Sequence, residues 1–188
     1  AGRSFEYIHM NNSAGLLHER KSNHNLARPG LLVYGVMPTG PRRPPVIMKR
    51  HIRPALSWKC RVSLVKSIAK GTKLSYGQTY TAKRTMRVAT LTAGYGDGYH
   101  YSAQREARVL IGGRLCPILG RITMDQMIVD VSRVKNAKIG DEVVLIGKQG
   151  KHNITANQLA KWANTIPCEI LTAIAYRVPR VYRGAQAA

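Results

Sequence analysis

Three short stretches place acid–base side chains beside glycine: Ser75-Tyr76-Gly77, Gly94-Tyr95-Gly96-Asp97-Gly98-Tyr99 and Gly120-Arg121-Ile122-Thr123-Met124-Asp125-Gln126. The first two present a phenol next to glycine, and the third presents a carboxylate after a methionine. Phenols and carboxylates donate, accept and hold protons. Glycine beside such a group lets the backbone turn sharply and come close to a ligand. Acids are scarce: of 9 Asp+Glu in 188 residues, Asp97 and Asp125 both fall inside these turns.

The elements that must hold these turns are short runs of β-forming residues. Residues 56–66, 87–91, 107–111, 114–118 and 126–131 read as strands, the first with Cys60, Val62 and Leu64 alternating against Lys59, Arg61 and Ser63. Gly112-Gly113 predicts a two-residue hairpin. The stretch Lys138 to Gly147 predicts a turn and then a buried strand, and Thr155 caps a helix with Leu159, Trp162 and Ala163 on its apolar face. Residues 55–188 therefore predict a mainly β fold, an antiparallel barrel or sandwich with one clear helix.

Residues 1–38 read differently. Residues 5–10 predict a strand, Asn11-Asn12-Ser13-Ala14 a turn or cap, Leu16 to His18 a short helix, and residues 30–35 an apolar strand bounded by glycine. Strand, helical turn and strand are what the end of a βα barrel looks like, with most of that barrel missing. Residues 39–54, rich in proline, predict a linker. The sequence begins at Ala1 rather than Met, which reads as a processed chain or the tail of a longer one.

Hydrophobic residues at 44% are enough for a core. No apolar run approaches the roughly 20 residues of a membrane helix. The net charge of +21 attracts polyanions in general. Yet the cations are dispersed and no aromatic stacking platform lies among them, so a solvated basic surface is preferred to a nucleic-acid interface. Cys60, Cys116 and Cys168 are far apart, which argues against a zinc site or a disulfide framework and for a reducing compartment, the cytoplasm.

Taken together, His9-Met10-Asn11-Asn12-Ser13-Ala14, Arg28-Pro29-Gly30-Leu31, the three glycine-rich turns and Arg177-Val178-Pro179-Arg180 resemble the bacterial alanine racemases, in order and spacing. The resemblance implies an isomerase dependent on pyridoxal 5′-phosphate (PLP) that supplies D-alanine for the cell wall. It implies an N-terminal βα barrel that carries the cofactor and a C-terminal β domain, paired head to tail in a homodimer. Residues 1–38 would then be the end of the barrel and 55–188 the β domain. The cofactor lysine would lie in a stretch that this sequence does not contain, so the chain alone is expected to be inactive.

The same resemblance assigns roles. Racemisation removes a Cα proton from one face and returns one to the other, which two opposed bases do economically. One would be the cofactor lysine and the other Tyr76. A phenol with its ordinary pKa of about 10 is a poor base near neutral pH, and nearby positive charge favours its ionised form. Met124, Asp125 and Tyr95 would meet the substrate. Arg28 would face the PLP ring nitrogen, donating a hydrogen bond without giving up a proton. Ser13, Gly30 and Leu31 would cradle the phosphate, with Asn12 and His9 close by. Where the family has Asn-Tyr, this sequence has Pro167-Cys168; a thiol cannot replace that tyrosine, and its role is not carried over. Two other readings stand beside this one. A truncated, non-catalytic relative could use its charge to bind nucleic acid or an assembly, or an enzyme could racemise another amino acid, such as Ser or Lys, through an entrance widened at Cys168.

Overall fold

The structure is a computed structural model, and it describes residues 4–19, 23–40 and 51–184. The chain divides into two compact units, Ala1–Ser57 and Trp58–Ala188. Of the expected linker, residues 41–50 lie outside the described residues.

In the first unit, β1 (His9–Asn12) pairs in parallel with β2 (Leu26–Arg28), and α1 (Ser13–His18) lies between them in sequence. Asn12 starts α1: its side-chain oxygen accepts from the amides of Ala14 and Gly15, both at 3.0 Å. The strand expected over 5–10 begins only at His9, because Asn25 holds the earlier residues. It accepts from the Ile8 amide at 2.7 Å and donates to the Glu6 carbonyl at 2.6 Å. The strand expected over 30–35 is instead a short helix, α2 (Gly30–Val33). A brief apolar run fits either element, and here Pro29 leads into a helical turn.

The second unit is built on antiparallel strands. Its main strands are β3 (Trp58–Ile68), β6 (Met86–Leu91), β7 (Arg108–Ile111), β8 (Arg114–Pro117), β9 (Met127–Asp130), β10 (Glu142–Gln149) and β11 (His152–Ile154). They run in the order β8-β7-β10-β3-β6-β9, with β11 on β10. An antiparallel bridge between Ile118 and Val129 joins the outer strands and closes the sheet into a barrel. A separate ribbon, β4 (Lys73–Leu74) with β5 (Tyr80–Thr81), carries the Tyr76 turn.

The long strand β3 serves two neighbours, β10 along its first residues and β6 along its last. The register shifts between Val62 and Leu64, and the alternation reverses there. Val62 is buried, but Leu64, expected inside, is 42% exposed. In β10, Val143 to Ile146 are all buried, as expected of a strand covered on both faces. Leu110, Val144 and Ile154 form a cluster against which Trp162 of α3 (Ala156–Ala163) packs. Thr155 caps α3 by accepting from the Gln158 amide at 3.1 Å. A further helix, α4 (Pro167–Ala173), follows where the sequence pattern predicts none, although proline in its first turn is a recognised start signal.

With so few acids, several arginines bind main-chain oxygens instead. Arg87 donates to the carbonyls of Val134, Lys135 and Ala137, which ties a loop to the barrel wall.

Candidate active site

The three glycine-rich turns meet at one place in the second unit. The first leaves the core at Leu74, which packs in the same buried cluster as Leu119. Ser75 then binds the main chain of Arg121 twice: the Arg121 amide donates to Ser75 Oγ at 2.8 Å, and that hydroxyl donates to the Arg121 carbonyl at 3.0 Å. Tyr76 follows with its side chain 73% exposed. Gly120 makes the approach possible, since a Cβ there would lie 2.6 Å from the Ser75 Cβ.

The second turn lies against the third. The amides of Tyr95 and Gly96 donate to the carbonyls of Thr123 and Met124, at 3.0 and 2.8 Å. Gly94 has no room for a side chain: a Cβ would fall 2.2 Å from the Thr123 oxygen. Tyr99 pins this turn from within. Its ring is fully buried against Trp58, with centroids 5.8 Å apart, and its amide donates to the Gly94 carbonyl. Burial, together with the neighbouring Cys60, holds the Tyr99 phenol well above its ordinary range. Tyr95 points outward, half exposed, with its ring edge-on to Tyr101 at 6.3 Å.

Asp97 shapes its own turn by accepting from the Gly94 amide at 2.9 Å. It also forms an ion pair with Arg177 at 2.8 Å, and the same guanidinium pairs with Asp125 at 2.7 Å. Arg177 also donates to the Met124 carbonyl at 3.4 Å. The two carboxylates hold its proton, raising an already high pKa. Arg177 thus fastens the C-terminal segment to both turns. The sequence reading gave it no role of its own; the signal available was its place in a matched motif in a chain short of acids. Asp125 is committed to this ion pair, which supports an orienting part for it.

The expected cofactor residues lie in the first unit. Asn12, Ser13, Arg28, Gly30 and Leu31 gather near the C-terminal ends of β1 and β2. Ser13 Oγ accepts from the Leu32 amide at 3.2 Å, which sets the hydroxyl beside the first turn of α2. A Cβ on Gly30 would meet nothing within 4 Å, so space is open at that turn. Arg28 spends one donor on the Met10 carbonyl at 3.2 Å and keeps others of its fork. A hydroxyl and backbone amides form a donor set that fits a phosphate group such as PLP's, and the Arg28 fork is a separate donor. Asn12 Oδ1 is occupied as a helix cap, and His9 sits at the far end of β1.

The cysteines differ sharply. Burial, reinforced by Asp97 for Cys60 and by Asp130 for Cys116, pushes both thiols up to about 12. Cys168, in the first turn of α4, is exposed. Since the thiolate is the reactive form, a thiol reagent is expected to label Cys168 alone in the folded chain. Peptide mass spectrometry checks this, and equally fast native labelling of Cys116 would contradict it.

Comparison with known proteins gives a consistent family. The family described as "Alanine racemase, C-terminal domain" matches residues 55–182. The alanine racemase of Symbiobacterium thermophilum is 47% identical over 176 residues, covering 94% of this chain and 46% of that protein. That of Methylacidiphilum infernorum is 43% identical over 176 residues, covering 94% of this chain and 44% of the relative. Among solved structures, alanine racemase from Streptomyces coelicolor superposes with a TM-score of 0.90 at 34% identity, covering 98% of this chain and 47% of the other. The chain spans less than half the length of the curated relatives that it matches.

Proposed function

The chain belongs to the alanine racemase family, and on that basis we propose that it is the β domain and the adjoining barrel end of an enzyme that interconverts L- and D-alanine with PLP. The observation that carries this reading is the convergence of the three turns, with Tyr76 exposed where Ser75 and Arg121 lock together. PLP, when bound, supplies the electron sink that stabilises negative charge at Cα. Ser13 and the amides of Gly30 and Leu31 would hold its phosphate, and Arg28 would donate a hydrogen bond to the ring nitrogen without protonating it. Asn12 and His9 are assigned to the surrounding shell.

Tyr76 Oη takes the Cα proton from one face of the amino acid, or returns it there, while a lysine outside this sequence serves the other face. The Met124 amide binds the substrate carboxylate. Asp125, held by Arg177, fixes the loop that presents that amide, and Tyr95 lines the approach. The β domain closes the site of a partner barrel in a homodimer or a complemented assembly, in the cytoplasm. Residues 1–38, 39–54 and 55–188 are assigned as barrel end, linker and β domain.

Purified 1–188 is expected to racemise nothing and to form no PLP adduct that borohydride fixes to a lysine. Joined to a lysine-bearing barrel, it is expected to interconvert the alanine enantiomers. Racemisation by the isolated chain would refute the dependence on a barrel. An assembled, PLP-loaded enzyme inert towards alanine would refute the assignment.

A further inference from the structure

Ser75 has a backbone conformation that side chains resist. Its φ is 69° and its ψ 169°, a region populated almost only by glycine. A glycine would take this shape freely. Serine adds only a hydroxymethyl group, and both hydrogen bonds of that group go to Arg121: it accepts from the amide at 2.8 Å and donates to the carbonyl at 3.0 Å. The main chain on the far side is equally constrained, because Gly120 leaves no gap between the two turns. Before Ser75, Leu74 is anchored in the core beside Leu119. After it, the Gln78 amide closes the turn onto the Ser75 carbonyl at 3.0 Å. The exposed Tyr76 is thus carried on a turn that its neighbour Ser75 fixes.

We propose that Ser75 is a positioning residue, whose hydroxyl clamps the main chain of Arg121 and so sets the place of the Tyr76 phenol. What that phenol does rests on the reading given under Proposed function; the clamp does not.

Two variants separate positioning from mere stability. Ser75→Gly removes the clamp and the strain together, whereas Ser75→Ala removes the clamp and keeps the strain. In the enzyme assembled with its lysine-bearing barrel, both are expected to lower kcat between about 10- and 100-fold with little change in KM, the effect of a small misplacement of a reacting group. Ser75→Gly is expected to do so with a nearly parental melting temperature. In the 188-residue chain itself, amide hydrogen exchange at Arg121, which donates to the Ser75 hydroxyl, and at Gln78, which closes the turn, is expected to quicken in both variants while the barrel strands stay protected. Parental exchange at these two amides, or a loss of kcat only in step with the folded fraction, would overturn the clamp. If Tyr76→Phe leaves racemisation intact while Ser75 variants still quicken the exchange, the proposed function fails and the clamp stands. If Tyr76→Phe silences the enzyme and the Ser75 variants keep parental kcat, the clamp fails alone.

Discussion

Tyr76→Phe, made in the assembled enzyme, lowers racemisation in both directions by about 10²- to 10⁴-fold, the range expected for losing a general acid–base group. The change removes one oxygen from a side chain that is 73% exposed, so the domain should melt as before. Both net directions must slow together, because each needs a proton handled on both faces. The informative measurement is solvent deuterium incorporation at Cα, followed separately for each enantiomer. One enantiomer gives its proton to the lysine; its exchange survives. The other depends on Tyr76, and its exchange is lost. Equal loss for both enantiomers would mean that the phenol only shapes the site, and no loss for either would remove it from the chemistry.

Much of the β domain was legible in the sequence, for reasons that can be traced to particular residues. The stretch Lys138 to Gly147 reads as a turn and a buried strand, and Val143 to Ile146 are buried there, with Trp162 packed on the cluster that holds Val144. Thr155 has the side chain and position of a helix cap, and it is one. Local chemistry governed these elements. The misreadings occurred where a longer-range constraint took over. Leu64 follows the alternation of β3 on paper, but the shift after Val62 turns it outward. Nothing local marks that bulge, which lies where β3 passes from one neighbour to the other. Gly30 to Val33 reads as strand because four residues cannot distinguish the two periods. Arg177 stands in the sequence only as one member of a matched motif, although its guanidinium is the link among Asp97, Asp125 and Met124. A basic chain invites the view that its cations are solvated. Arg87, bound to three carbonyls, shows another use for them.

The second large effect is expected from a single methyl group. Gly94 has a φ of −151°, which any residue can adopt, so Gly94→Ala introduces no backbone strain. Its effect is purely steric. The new Cβ would lie 2.2 Å from the Thr123 oxygen and 2.5 Å from the Met124 carbonyl carbon and oxygen, all main-chain atoms that cannot swing away. Relief requires the two turns to separate, which stretches the hydrogen bonds from Tyr95 and Gly96. Overpacking of this kind costs about 1–3 kcal/mol, and for a chain of this length that lowers the melting temperature by roughly 2–12 °C. Tyr99 anchors the second turn in the core and Arg177 bonds both turns, so the damage should stay local rather than unfold the barrel. The Met124 amide is displaced with its loop, and KM for alanine should rise in the assembled enzyme. Thermal melting and steady-state kinetics on the same preparation check both effects. A Gly94→Ala protein with parental melting and parental KM would mean that the second and third turns are not in contact, and the proposed substrate loop would lose its support.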